Sequence, residues 1–426
     1  MRKFFSLAGL FFFITFHYGS AQHWHYHNPT LWFDVNAVET PGPGIIAIGG
    51  GWETHDSVQI MFQSEDYGAN WFENTHDGPA PWNKSIAFSD NLNGFAVGYD
   101  GRIVKTDDAG RNWGWAAYPT NRDLNKIVYA GSGTYYVAGG NKTQDSVQTI
   151  LKSSDYGDTW TLIYDTLGPW LRSLYFFDTL RGIAVGDGGV ILSTSDGGVH
   201  WVGIAAPLIR DYHSITFIGA DTGFIVGGSP GGISTILQTV NGGASWSVLQ
   251  DSVGGILKDI SFADPAVGYI VGDSATVLKT NDAGLTWNPL IIDSTLTGAE
   301  EFRSVDFYDT SFGAVAGKAG LIYIYTELPA TQLQTTGSQN LINGEVKMLA
   351  EINTFGHLAQ YSFCYATDST FANPVWTNME NIVCSTPVEV SAITNGLNNN
   401  DRYYFFVKCQ NIADTSYGDT LTFMSG

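Results

Sequence analysis

The chain has 426 residues and carries 41 acidic against 20 basic side chains, a formal net charge of -21 at pH 7. That surplus argues against a nucleic-acid binder, because phosphate would be repelled over most of the surface. Fifty glycines, 13 Trp, 21 Tyr and 25 Phe, with only 14% charged residues, point to an all-β chain with many tight turns.

The first 21 residues read as an export signal. Arg2 and Lys3 form a basic start, LAGLFFFITF is an apolar run too short to span a bilayer, and small residues lead to Ala21. This places the mature start at Gln22 and the protein outside the cytoplasm: in a periplasm, on an outer surface or extracellular. No later stretch approaches 18 uninterrupted apolar residues.

Next comes HWHYHNPT, residues 23–30, with histidines at every second position. Histidines at i and i+2 on a strand can ligate zinc or copper, but such a site also needs fixed geometry and hydrogen-bond partners that orient the rings. The plainer expectation is a strand that packs Trp24 and Tyr26 and leaves His23, His25 and His27 on a wetter face. Neither a metal nor another cofactor is expected.

From there to residue 326 one pattern recurs. SEDYGANW, TDDAGRNW, SSDYGDTW, TSDGGVHW, TVNGGASW and TNDAGLTW end at Trp71, Trp113, Trp160, Trp201, Trp246 and Trp287. Each follows a glycine-flanked apolar run such as GIAVGDGG, preceded by an alternating strand such as RSLYFFD. A period of 40 to 50 residues with about four strands per unit signals a propeller. Within each boxed turn Asp66, Asp108, Asp155, Asp196, Asn241 or Asp282 is suited to accept backbone N–H groups of its own turn. Ser or Thr two positions earlier can donate to it, Gly two positions later permits a left-handed backbone, and the Trp buries between sheets. Six near-identical acidic turns read as structural devices, not as six active sites.

These turns resemble the Asp-box, or bacterial neuraminidase repeat. The longer stretch RSLYFFDTLRGIAVGDGGVILSTSDGGVHW, residues 172–201, looks most like the propellers of the photosystem II assembly factor family. The resemblance covers about residues 23–326 and implies a seven-bladed propeller. It says far less about function, because one fold hosts many.

The seventh unit has RSVDFYD, GAVAGKAG and LIYIYT but no box or Trp-led strand after Thr326. An open ring would expose a sheet edge. HWHYHNPT aligns with NWGWAAYPT, residues 112–120, so the N-terminal segment is expected to supply the missing fourth strand, with Trp24 in the place of Trp113.

Aligning the residues that open the innermost strands gives Phe33, Lys84, Asn125, Arg172, His213, Lys258 and Arg303. In a propeller these surround one mouth of the central channel. Lys84, Arg172, His213, Lys258 and Arg303 therefore form a candidate ligand site for an anionic group, with Arg122 and Arg210 nearby. Asp123 and Asp211 temper that field, and the bland alternative is a set of strand-start residues tied to neighbouring acids.

A sialidase would need an arginine cluster, which Arg172, Arg210 and Arg303 could mimic. The early Arg-Ile-Pro signature is absent, since Arg102-Ile103 runs into Val104, and no tyrosine–glutamate pair is identifiable. No motif for a serine triad, zinc protease or phosphate loop is present.

After TELPATQLQTTG a second alternating pattern begins. GLNNNDRYYFFVKCQN resembles the corner before the sixth strand of fibronectin type III domains, with Leu397 and Tyr403 in core roles, and SYGDTLTFMSG resembles their closing strand. Cys364, Cys384 and Cys409 all lie here, an odd number that leaves at least one unpaired within the chain. Cys364 and Cys409 fall on neighbouring strands, as free buried thiols or as a disulfide.

The expected organisation is a signal at 1–21, a propeller at 22–328 and a fibronectin type III-like β-sandwich at 329–426. The expected role is non-catalytic binding or assembly, with a protein or anionic glycan as partner. The alternatives are an exo-acting glycosidase and a structural cell-surface or adhesion protein.

Overall fold

The computed structural model describes residues 24–27, 33–51, 60–75, 83–117, 119–141, 146–229, 231–252, 254–327, 331–341, 345–354, 359–384, 386–394, 396–411 and 415–425. The signal assigned to residues 1–21, and His23, lie outside them. Among the described residues no helix is long and apolar enough to cross a membrane. The chain divides into two compact units between Thr326 and Glu327.

Seven four-stranded antiparallel sheets make up the described part of the first unit. Their innermost strands are Asp34–Gly42, Asn83–Phe88, Asp123–Tyr129, Leu171–Phe176, Asp211–Phe217, Leu257–Phe262 and Phe302–Asp309. Each touches the next, and the last touches the first, so the sheets close into a ring. Between neighbouring sheets lie hydrophobic clusters such as Phe224, Val226, Ile236, Leu257, Ile260, Ile270, Leu278 and Trp287. The alternation along each strand feeds both clusters, one from each face.

The seventh sheet takes its outermost strand from the N-terminus. Trp24–His27 pairs antiparallel with Ile322–Thr326, Trp24 opposite Tyr325 and His27 opposite Ile322. Trp24 is buried against the edges of Tyr269 and Phe307. Trp113 meets Phe88 edge-on in the same way. Tyr26 lies half-buried beside Tyr323. The histidine face is not the wet one expected. His27 is 2% exposed and lies against Gly68 of the first sheet's boxed turn, beside Ile324. A sheet within a closed ring has a neighbour on both faces, so an outermost strand still has no fully solvated side.

The boxed turns share one hydrogen-bond set. Thr194 Oγ1 donates to Asp196 Oδ1 at 2.9 Å and accepts the amide of Gly198 at 3.0 Å. Asp196 Oδ1 in turn accepts the amide of His200 at 2.9 Å. Asn241 reproduces the pattern, accepting from Thr239 Oγ1 at 2.9 Å and from the amide of Ser245 at 3.0 Å. Gly198 sits at φ 86°, a region costly for other residues. Hydrogen bonds from the Thr159 side chain and amide hold the Asp155 carboxyl down at about 2.

The second unit contains a three-stranded sheet (Gln332–Asn340, Val346–Asn353, Val388–Ile393) and a six-stranded sheet centred on Ala359–Ala366 and Arg402–Asn411. Phe363, Phe405, Val407 and Met348 are fully buried in its core, and Leu397 packs against it. The Tyr403 hydroxyl accepts the amide of Asn398 at 3.0 Å, tying the corner back onto its strand. Cys364, Cys384 and Cys409 are all free thiols. Cys364 stands opposite Phe406 and Cys409 opposite Tyr361, so the two are three positions out of step across the pair. Burial pushes both of these thiols up to about 11.

Candidate ligand-binding site at the channel mouth

Every innermost strand of the ring carries a β-bulge near its start. The register shifts between Val35 and Ala37, Asn83 and Ser85, Leu124 and Lys126, Leu171 and Ser173, Tyr212 and Ser214, Leu257 and Asp259, and Phe302 and Ser304. The residues standing out at these bulges are Asn36, Lys84, Asn125, Arg172, His213, Lys258 and Arg303. A bulge adds one residue to one strand and re-aims its side chain. Opposite it, strand two brings a glycine. A Cβ on Gly50, Gly139, Gly186, Gly227 or Gly317 would collide with the carbonyl oxygen of Asp34, Asp123, Trp170, Asp211 or Glu301. The glycine that recurs at the end of these apolar runs is thus the space that the bulge requires.

Six of the seven bulge residues, Lys84, Asn125, Arg172, His213, Lys258 and Arg303, line one cavity of about 100 Å³ on the channel axis. In the first sheet, however, the bulge residue is Asn36, three positions beyond Phe33. Phe33 is buried in the cluster between the first and seventh sheets. The local signal that finds Asn36 is the order polar, small, apolar, acidic in NAVE, which matches RSVD in the seventh unit.

The bulge residues are chained to one another. Arg303 Nη1 donates to Asn36 Oδ1 at 2.6 Å, and Asn36 Nδ2 to the carbonyl of Asn83 at 3.2 Å. Lys84 Nζ donates to Asn125 Oδ1 at 2.9 Å, and Asn125 Nδ2 to the carbonyl of Leu171 at 2.6 Å. His213 Nδ1 faces the carbonyl of Leu257 at 2.7 Å, so that nitrogen carries the proton.

The cations are also matched by carboxylates. Arg172 is bound bidentately by Asp187. Lys84 lies 3.4 Å from Asp123, Lys258 lies 3.3 Å from Asp273, and Arg303 lies 3.0 Å from Asp34 and 2.9 Å from Glu301. Arg122 and Arg210 reach Asp165 at 3.6 Å and Asp251 at 3.8 Å. Lys84 also sits 3.8 Å from the centre of the Tyr99 ring and 4.4 Å from that of Trp170. The mouth is therefore a ring of alternating charge, not an uncompensated positive focus. Asp211 has a different task, accepting the amide of Gly188 at 2.9 Å.

Below the mouth, the next inward level is mostly serine: Ala37, Ser85, Lys126, Ser173, Ser214, Asp259 and Ser304. Asp259 Oδ1 accepts from Ser214 at 2.8 Å and its Oδ2 from Ser304 at 3.1 Å, one neighbour on each side. Deeper still, Glu39 and Asp306 line a cavity of about 400 Å³ with Lys126 and Asp259. No group of three or more His, Cys, Asp or Glu placed to hold a metal ion exists among the described residues.

A family model described as photosynthesis system II assembly factor YCF48 matches residues 249–328. The photosystem II assembly lipoprotein Ycf48 of Synechococcus sp. (strain CC9902) is 32% identical over 102 residues, 24% of this chain and 29% of that protein. Its counterpart in Prochlorococcus marinus (strain NATL2A) is 31% identical over 83 residues, 20% of this chain and 25% of that protein. The matched segments thus span less than a third of these relatives. Among solved structures, YCF48 bound to D1 peptide superposes with a TM-score of 0.57 at 18% identity, over 72% of this chain and 96% of that one. YCF48 from Cyanidioschyzon merolae gives 0.53 at 15% identity, over 71% and 98%. The WD40 propeller domain of Doa1 gives 0.52 at 13% identity, over 74% and 98%. The fold shared with them is the β-propeller.

Proposed function

We propose that this chain is an exported, non-catalytic binding protein: a seven-bladed propeller, spanning about residues 22–328, joined to a fibronectin type III-like module at 329–426. Its bulge ring recognises an acidic segment of a protein partner. The observation that carries this reading is the convergence of Lys84, Arg172, His213, Lys258 and Arg303 on one cavity, on side chains aimed there by a bulge repeated in seven strands. A carboxylate-bearing segment would share these cations with Asp123, Asp187, Asp273 and Glu301, trading one ion pair for another. Such exchange favours specificity over raw affinity. The fold likeness to YCF48, one of whose structures is bound to D1 peptide, supports a peptide as the class of partner.

The test is fluorescence anisotropy with short labelled peptides rich in Asp and Glu, beside basic peptides of equal length. Acidic peptides should bind saturably, and the double variant Arg172→Ala, Lys258→Ala should weaken them at least tenfold, about 1.4 kcal/mol. Unchanged binding by a variant with an unaltered melting temperature would refute the site. Turnover of a fluorogenic sialoside abolished by Arg172→Ala would refute the non-catalytic role.

A further inference from the structure

The channel interior holds charges that the mouth does not use. Glu39 and Asp306 occupy the same inward level, three residues below the bulges Asn36 and Arg303, on the innermost strands of the first and seventh sheets. These strands form the seam at which the ring closes. Asp306 Oδ2 crosses it, accepting the Thr40 amide at 2.8 Å and the Thr40 hydroxyl at 2.7 Å. Beside it the amide of Val38 donates to Ser304 Oγ at 3.2 Å. Glu39 lines the lumen, half-buried among the innermost strands.

We propose that Glu39 and Asp306 share a proton across this seam and act as a pH-dependent latch on ring closure. Two carboxylates on facing strands of one narrow channel cannot both ionise without mutual repulsion. The groups facing them are few. The strand Leu257–Phe262 presents Asp259, already held by Ser214 and Ser304, and Ser261, whose hydroxyl lies 3.4 Å from Asp306 Oδ1. The strand Asp123–Tyr129 presents Lys126 from across the lumen, and Leu171–Phe176 presents Tyr175. Asn83–Phe88 and Asp211–Phe217 present no carboxylate at this depth, and the mouth cations above are bound to their own acids. One lysine therefore faces three acids.

Burial, the charge of Asp306 and that of Asp259 drive the Glu39 carboxyl well above the usual range, against the pull of Lys126. Burial also raises Asp306, despite the opposing hydrogen bonds from Thr40. For Lys126 burial works against the ammonium, but Asp259, Glu39 and Asp306 more than offset it. Opening the seam parts these groups and returns both carboxyls to fuller hydration and ordinary acidity. At a pH above that ordinary range, opening then releases a proton, so the closed ring is favoured in acid and loosened as pH rises. The latch is independent of what binds at the mouth.

Hydrogen exchange of the full chain tests this at the two amides that cross the seam, Val38 and Thr40. After correction for the intrinsic rate, their opening constant should rise about tenfold per pH unit above the ordinary carboxylate range, the slope for one proton released. Glu39→Gln, which can donate to Asp306 without titrating, should flatten that slope, as should Asp306→Asn. A slope of zero in the wild type, or an unchanged slope in both variants, would overturn the latch. A carboxyl titration by carbon NMR, which needs no variant, should place the Glu39 midpoint above those of exposed glutamates. A midpoint among them would overturn it equally.

Discussion

Thr40 and Asp306 stand 266 residues apart and are joined by two hydrogen bonds, through the threonine's amide and its hydroxyl, to one carboxylate oxygen. The first sheet is thereby stapled to the seventh on the inside of the ring. On the outside the same closure is made by Trp24–His27 as the seventh sheet's last strand. Inner and outer closures use different physics: half-buried polar bonds near the axis, aromatic packing at the rim.

The outer closure can be weighed through Trp24. Replacing it with Ala removes a ring held by Tyr269, Phe307 and Tyr325. The expected loss is about 3–5 kcal/mol, read as a shift of the urea midpoint. Deleting residues 22–28 should lower the melting temperature at least as far. An unchanged melting temperature would remove the N-terminal strand from the closure.

His27 makes the same strand acid-sensitive. Its ring nitrogens find no hydrogen-bond partner among the described residues. Burial, with the charge of His25, lowers its pKa from 6.5 to about 3. The unfolded chain therefore binds a proton that the folded one refuses. The stability from a neutral His27 is whole above pH 6.5 and drains away as pH falls toward 3. By pH 5 the loss is about 2 kcal/mol. His27→Leu should abolish that part of the acid dependence in denaturation curves taken between pH 7 and pH 5. Parallel curves for the two proteins would show that His27 is not the titrating group.

The boxed turns are expected to act through the hydroxyl as much as the acid. Thr194→Val keeps the shape but strands the amide of Gly198 and leaves Asp196 Oδ1 with the His200 amide in place of two donors. The cost should be about 1–3 kcal/mol, measured by chemical denaturation. A Thr239→Val variant should cost a similar amount, although its partner is Asn241.

The bulge glycines give a further check. Gly227→Ala sets a methyl group against the carbonyl of Asp211 and should destabilise by about 1–3 kcal/mol. Gly203→Ala, where nothing lies within 4 Å of an added Cβ, should be nearly neutral in the same assay. Equal effects at both sites would mean that the close approach is not what selects glycine.

Local chemistry made much of this readable in advance. An Asp, a Ser or Thr two residues before it and a Gly two residues after it define a turn by themselves, because their hydrogen bonds run within five residues. The place of Trp24 on the seventh sheet's fourth strand was legible by analogy, since NWGW and HWHY place their Trp alike. Asn36 was less so. A bulge is a property of two paired strands, and within LWFDVNAVE only the match of NAVE to RSVD points to the residue that the partner leaves unpaired.

The charge of the mouth was partly legible, since Asp123 was expected to temper the field. Lys84 and Asp123 are 39 residues apart, and Arg303 and Asp34 further still, so one-dimensional spacing could not match each cation to its acid. His27 read as a surface residue for the same reason, since a strand's own alternation cannot reveal a neighbour on its second face. Sequence alone determined the repeat, its turns and six of the seven residues that open the innermost strands at the axis, because those follow from a pattern repeated within each unit. Which acids reach a cation from the next sheet, which face of the N-terminal strand is dry and what crosses the seam were decided only by tertiary packing, because each depends on residues from different sheets that local spacing does not place side by side.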